Sequence, residues 1–320
     1  MESTQPSPTP RFESYPGLPP LRGVNLGNAL DAPWPGAWGV TITEAMIQSV
    51  AEAGFNAIRL PVRFSAHTGA EPDYTLSESI LTSVDQVILL GLDAGLTVVL
   101  DLHHFDALMQ SPAAEEARFF AIWDQLASRY QSLPDTLYFE LLNEPHGVLD
   151  SETWNRLVAE SVQIIRQANP TRTIIIGGLA YSTVDSLNEL ALPDDPHLAA
   201  TFHYYEPFEF THQGASWVSG AAGWLGTLWT GTPEEVSIIE QAFDRAVDWS
   251  NANQIPLILG EFGTIENADA ASRQAWTASV VRIAEARGIS WFHWDLCTDF
   301  GFYDCQNGIW NDALLQALFP

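Results

Sequence analysis

Two glutamates end two short apolar runs, 117 residues apart: Glu144 in YFELLNEP (138–145) and Glu261 in LILGEFG (257–263). A carboxylate at the tip of a hydrophobic strand sits where the chain leaves the core. Two of them in one chain suggest a pair facing each other at the mouth of a parallel barrel. Such a pair is the equipment for glycoside hydrolysis. One carboxyl, neutral near working pH, protonates the leaving oxygen, and the other must be ionised.

Strand parity sorts the polar groups around this pair. Residues 138, 140, 142 and 144 share a face of an ideal strand, so Glu140 rivals Glu144. Glu140 lies four residues deeper, beyond the reach of a polysaccharide, and reads as a paired structural carboxylate. His203 and Tyr205 share a face at the end of their strand. His103 and His104 are adjacent and should point to opposite sides if the strand persists, which argues against a His-x-His chelate. Arg59, inside the apolar run NAIRLPV (56–62), is a buried-looking cation. Near Glu261 it would favour the charged carboxylate, and Tyr205 could donate to the same group. The charge on Glu261 would then raise the pKa of Glu144 and separate the two roles.

The elements that must hold these groups alternate along the chain. Candidate strands are 21–26, 56–62, 97–102, 136–142, 172–178, 199–205, 256–262 and 289–295. Several are apolar on both faces, as in a covered parallel sheet. Helical patterns occupy 44–54, 77–95, 111–130, 151–169, 232–253 and 268–288. Ser111-Pro112 suits a helix start, and Thr232 with Glu235 has capping-box spacing. The alternation predicts an α/β fold, a single-domain (β/α)8 TIM barrel. A doubly wound open sheet is the rival, but LGNALDAP (26–33) lacks the glycine fingerprint of a nucleotide-binding turn. Residues 1–20 hold six Pro with Ser and Thr and read as a tail or linker. Residues 21–320 are the expected catalytic domain.

The 320 residues include 40 acidic and 13 basic ones, all 13 of them Arg, for a net charge of −27. Such a chain repels nucleic acid, anionic lipid and acidic polysaccharides, whereas a neutral substrate meets no such barrier. No apolar run has the roughly 18 residues of a membrane helix. The first twenty residues show no charged start followed by an apolar stretch, so they are not expected to be a signal peptide. Cys297 and Cys305 make neither a disulfide framework nor a metal motif; they either close one small loop or remain two thiols.

The ordered set Arg59, His103-His104, Asn143-Glu144-Pro145, His203-Tyr204-Tyr205, Glu261-Phe262-Gly263 and Trp294 resembles glycoside hydrolase family 5 of the cellulase superfamily. The resemblance runs from residue 21 to about 318. It implies Glu144 as general acid/base, Glu261 as nucleophile, and Asn143 as holder of the sugar 2-hydroxyl. Arg59 and Tyr205 match the partners of the nucleophile. His103, His104 and His203 match the polar rim, and Trp294 matches the aromatic floor at the −1 sugar. The stretch 201–217 is similar to an endoglucanase subgroup, some members of which also cleave mannan. Trp217 there would stack on a sugar. LGNALDAP resembles the same subgroup, with Asn25, Asn28 and Asp31 near the glycone side.

The chain holds twelve Trp, and sugar faces stack on aromatic rings. Trp123, Trp154, Trp249 and Trp276 lie in helical patterns and read as core. Trp34 and Trp38 are candidates for outer subsites. His67, His146, His197 and His212 read as surface or loop-fixing residues. The function expected is a retaining endo-β-1,4-glucanase acting on cellulose-like and mixed-linkage β-glucans. A β-mannanase or dual enzyme on the same machinery is the nearest alternative, followed by a metal-dependent barrel hydrolase using His103, His104 and His203. A binding-only protein is the remaining rival. No metal or organic cofactor is expected, and the partner is a neutral β-linked polysaccharide or oligosaccharide. Nucleic acid and membrane are not expected partners. The protein should be a secreted monomer, secretion being inferred from the substrate class.

Overall fold

A computed structural model describes residues 18–319. Eight parallel strands close into a barrel in sequence order. They are β1 (Arg22–Asn25), β2 (Ala57–Val62), β3 (Thr97–Leu102), β4 (Leu137–Glu140), β5 (Ile174–Gly177), β6 (Leu198–Tyr204), β7 (Leu257–Phe262) and β8 (Ser290–His293). Around them run α1 (Glu44–Glu52), α2 (Glu78–Asp93), α3 (Asp106–Gln110), α4 (Pro112–Tyr130), α5 (Ser151–Ala168), α6 (Leu179–Ser182), α7 (Phe208–Thr211), α8 (Pro233–Asn253), α9 (Ala270–Ala286) and α10 (Asp312–Leu318). A two-stranded hairpin, β9 (Tyr303–Asp304) and β10 (Ile309–Trp310), follows β8.

The local signals explain most of these limits. Pro112 opens α4, and the Thr232–Glu235 capping box opens α8. Asp150 and Asp269 accept from backbone amides at the starts of α5 and α9. The crossover between β5 and β6 departs from the barrel norm. It holds only the one-turn α6 and a 3₁₀ turn, Val184–Glu189, where other crossovers carry long helices. The tail expected over 1–20 falls outside the described residues up to position 17. Leu18 is buried at the barrel floor with Leu21, Ala57, Val99, Tyr138, Ile175 and Phe292.

Between barrel and helices lies one continuous apolar core that includes Trp123, Trp154, Trp249 and Trp276, as the helical patterns required. Inside the barrel the floor is apolar and the next layer up is charged. Arg59, Asp101 and Glu140 all project inward above Val99 and Tyr138. Cys297 and Cys305 form a disulfide with Cα atoms 5.7 Å apart, so the small loop is closed.

Candidate active site

Arg59 is the hub. Its guanidinium, 1% exposed, donates from Nε and Nη2 to the two Glu140 oxygens, each at 2.8 Å. Nη2 also reaches Asn143 Oδ1 at 2.8 Å and lies 3.1 Å from Asp101 Oδ2. Nη1 donates to Glu261 Oε1 at 2.7 Å and to Asn25 Oδ1 at 2.8 Å. The expected role of Glu140 as a paired carboxylate at depth is what the geometry shows. Asn25 is fully buried, and its amide donates to Gly260 O at 3.0 Å. It supports Arg59 from below and does not line the cleft.

Glu261 reaches the barrel axis because β7 is irregular. Phe202 pairs with Leu259 and His203 pairs with Glu261, which leaves Gly260 as an extra residue in the ladder. Ile258 faces the barrel floor and Leu259 the outer core. Regular alternation would then send Glu261 outward; the bulge turns it in. A Cβ at Gly260 would lie 2.4 Å from Thr201 Oγ1, so only glycine tolerates the close approach. Once inside, Glu261 accepts from Tyr205 Oη at 2.9 Å. His203 Nδ1 is 2.8 Å from Glu144 Oε1 and 3.6 Å from Glu261 Oε2. A carboxylate oxygen of Glu144 and one of Glu261 lie within 4.8 Å of each other.

Parity fails at two places. β4 ends at Glu140, Leu142 packs in the outer core, and Glu144 takes a left-handed φ of +46°. Residues 138 to 144 therefore do not share a face, and the turn, not the strand, aims Glu144. β3 ends at Leu102, and His104 has φ +50°. His103 and His104 consequently both face the cleft, with ring centroids 4.5 Å apart, against the expectation of opposite sides. His103 Nδ1 is fixed by Asp101 Oδ2 at 2.5 Å. Asp31, His103 and His104 could present ligand atoms within 4.8 Å of one another, as could Glu144, His203 and Glu261.

The cleft has two lobes. One, of about 710 Å³, is lined by Asn28, Asp31, His104, Asn143, Glu261 and Trp294 among others. The second, of about 620 Å³, is lined by Tyr181, Asp185, Phe208 and Arg245 among others. Both share Glu144, Tyr205, His212 and Trp217. The indole of Trp217 is 57% exposed. Trp294 is half-buried and parallel to His103 at 5.6 Å, and the absent Cβ of Gly27 leaves room for its ring. Trp38 reaches the first lobe beside His104, whereas Trp34, 64% exposed, does not line it. Asn28 Nδ2 donates to Asp295 Oδ2 at 3.0 Å and Thr298 Oγ1 at 2.8 Å; Asp31 accepts from the Asn28 and Ala29 amides. Thr298 follows the disulfide-bonded Cys297, so the disulfide loop steadies this wall.

Sequence reasoning missed Asp101, Phe300 and the cleft-lining position of His212. His212 does fix a loop, stacking on Phe208 at 4.0 Å, but it also backs Tyr205 edge-on at 5.0 Å. An Asp two residues before a His on one strand face was the available signal for Asp101.

Burial pushes both carboxyls up to about 7. For Glu144 the leading cause is desolvation, with the Glu140 charge adding to it; the expectation that Glu261 would set this shift understates burial. Glu261 is lifted by burial and by the Glu144 charge, and is held down by His203, Arg59 and Tyr205. The groups titrate as a pair. Direct donors from Arg59 and Tyr205 favour the Glu261 anion. Burial keeps the His203 imidazole below its ordinary value.

These shifts have a sign. Carboxyls raised above their unfolded value stabilise the fold below about pH 4.5, and that contribution is lost as pH rises through about 7. Asp31 and Asp295, both raised by burial to about 6, act in the same direction. The thermal midpoint should be lower at pH 8 than at pH 5, and Glu144→Gln should narrow the gap. A midpoint gap unchanged in the Gln variant would contradict the shift.

The family profile "Cellulase (glycosyl hydrolase family 5)" matches residues 16–299. Endoglucanase H of Acetivibrio thermocellus is 35% identical over 99% of this chain, which spans about a third (35%) of that relative's length. Among solved structures, Cel5A of Thermotoga maritima in complex with cellobiose is 44% identical at a TM-score of 0.91, covering 93% of this chain and 96% of its own. The same protein with a mannotriose substrate is 43% identical, again at 0.91 and with the same coverage.

Proposed function

The chain belongs to glycoside hydrolase family 5, the cellulases, and on that premise we propose that it is a retaining endo-β-1,4-glucanase. The observation that carries the reading is the spacing of Glu144 and Glu261. Retaining enzymes place their carboxyls about 5–5.5 Å apart, inverting ones about 6.5–9.5 Å. One oxygen of each carboxyl lies within 4.8 Å of the other, which supports the closer, retaining arrangement.

In the first step Glu144 gives its proton to the glycosidic oxygen while Glu261 attacks the anomeric carbon. The C–O bond to the leaving sugar breaks as the Glu261 ester bond forms. In the second, Glu144 takes a proton from a water whose oxygen attacks the anomeric carbon from the face the leaving sugar left, opposite Glu261, and the ester bond to Glu261 breaks. Arg59 and Tyr205 stabilise the charged form of Glu261 before the first step and after the second. Asn143 gives its carbonyl to Arg59, so its amide nitrogen is the group free to donate to a 2-hydroxyl. The lobe with Glu261, Asn143 and Trp294 takes the sugar being attacked, and the lobe with Tyr181 and Asp185, across Glu144, takes the leaving sugar. Two lobes meeting at the acid support cleavage within a chain.

Cellulose-like and mixed-linkage β-glucans are the proposed substrates, and the overall negative charge favours neutral ones. A second reading, activity on mannan, is favoured by the 43%-identical Cel5A determined with mannotriose. Secretion, a monomeric state, independence from metals and a catalytic unit over 21–320 complete the proposal. The test is reducing-sugar release from mixed-linkage β-glucan and galactomannan side by side, in chelator. Release from β-glucan is expected. Release from mannan alone would replace glucanase by mannanase, and loss of all release in chelator would favour the metal-dependent reading.

A further inference from the structure

Of the paired carboxylates Glu144 and Glu261, Glu144 is aimed by a turn, and the turn is held from two sides. On one side the backbone is clamped to α3. Val148 N donates to Met109 O at 2.9 Å, and Gly147, at φ +75°, could carry no Cβ, which would lie 2.5 Å from the same oxygen. On the other side stands His146. Its Nδ1 is 2.7 Å from the Glu144 carbonyl oxygen. A carbonyl only accepts, so Nδ1 carries the proton. The His146 ring stacks on Tyr181, with centroids 4.3 Å apart and planes 17° off parallel.

Tyr181 is itself held in an unusual place. Ala180, Tyr181 and Ser182 have successive φ values of +50°, +63° and +55°, a left-handed run that no glycine relieves. Strain of this kind persists where the surroundings over-determine it, and it gathers at functional sites. The run is tied to the acid's own loop, since Tyr181 N donates to Pro145 O at 3.3 Å. It presents Tyr181, 55% exposed, as a wall of the leaving-sugar lobe.

We propose that His146 is a positioning residue for Glu144, gripping its backbone carbonyl and bracing it against Tyr181 so that the acid is aligned with the oxygen of a sugar leaving group. The inference rests on the reading of Glu144 as the acid. Its signature is a dependence on the leaving group. A sugar alkoxide must be protonated as it departs, whereas 2,4-dinitrophenolate leaves without help, so misplacement of the acid harms only the first.

The experiment compares kcat/KM for cellotetraose and for 2,4-dinitrophenyl β-cellobioside in four proteins: the wild type, His146→Phe, His146→Asn and Glu144→Gln. His146→Phe keeps a ring on Tyr181 and removes the donor. It should lose about tenfold to a hundredfold on cellotetraose and stay within about twofold on the aryl substrate, whose departure makes no demand on the acid. His146→Asn restores a donor near the same carbonyl and should recover part of the loss, which also covers failure of the Phe variant to fold. Equal losses on both substrates, or none on cellotetraose, would overturn the inference. If Glu144→Gln lost equally on both, the acid assignment would fail; if Glu144→Gln discriminated and His146→Phe did not, only the bracing role would fail.

Discussion

Glu261→Gln should lower kcat on a β-glucan by at least about four orders of magnitude, about 5.5 kcal/mol of barrier, while cello-oligosaccharide affinity changes little. The substitution keeps the size of the side chain, and its one oxygen can still accept from Arg59 Nη1, now at 2.7 Å from Oε1, while the amide nitrogen replaces the oxygen that faces Tyr205 Oη at 2.9 Å. What it removes is the negative oxygen that forms the ester. An interaction made only in the transition state appears in kcat and not in binding. The measurement is steady-state turnover beside calorimetric titration with cellotetraose. Turnover within tenfold of wild type would place the nucleophile elsewhere.

Arg59→Met should be the most damaging change to the fold among the cleft residues. Glu140, Asp101 and Glu261 all face this one buried cation, and Asp101 and Glu140 are fully buried. Removing one side of a buried ion pair typically costs about 3–5 kcal/mol, because the partner is left charged and dry. A protein's whole stability is roughly 5–15 kcal/mol. The thermal midpoint at pH 8 should drop by about 10 °C. The loss should be smaller at pH 5, where the abandoned carboxyls can take up protons. A midpoint within 2 °C of wild type at pH 8, to take about the smallest shift of one kcal/mol, would show that the hub is not structural. Catalysis should fail as well, since Glu261 loses its counter-charge.

These two residues also show what the sequence made legible. Glu144 and Glu261 stood out because each ends an apolar run, and Arg59 because a cation inside such a run needs buried partners. Eight strand patterns sufficed for the barrel, since burial on both faces leaves long β-branched runs. The parts that stayed hidden are departures from regular backbone. The bulge at Gly260 aims Glu261, and left-handed residues aim Glu144 and His104. Parity arguments assume two-residue alternation and fail wherever a strand ends or gains a residue. The Cys297–Cys305 link was open in the sequence because spacing alone does not bring two sulfurs together. The His146–Tyr181 stack joins two loops that share no pattern, and only the folded chain brings them together.

The most direct test of the central claim is to trap the covalent intermediate. Incubation with 2,4-dinitrophenyl 2-deoxy-2-fluoro-β-cellobioside should inactivate the enzyme, because the fluorine slows both steps while the activated leaving group restores only the first, so the glycosyl-enzyme accumulates. Intact-mass and peptide analysis should then find one cellobiosyl adduct, on Glu261. An adduct on Glu144 would invert the assigned roles, and complete hydrolysis with inversion and no adduct would contradict double displacement at this pair.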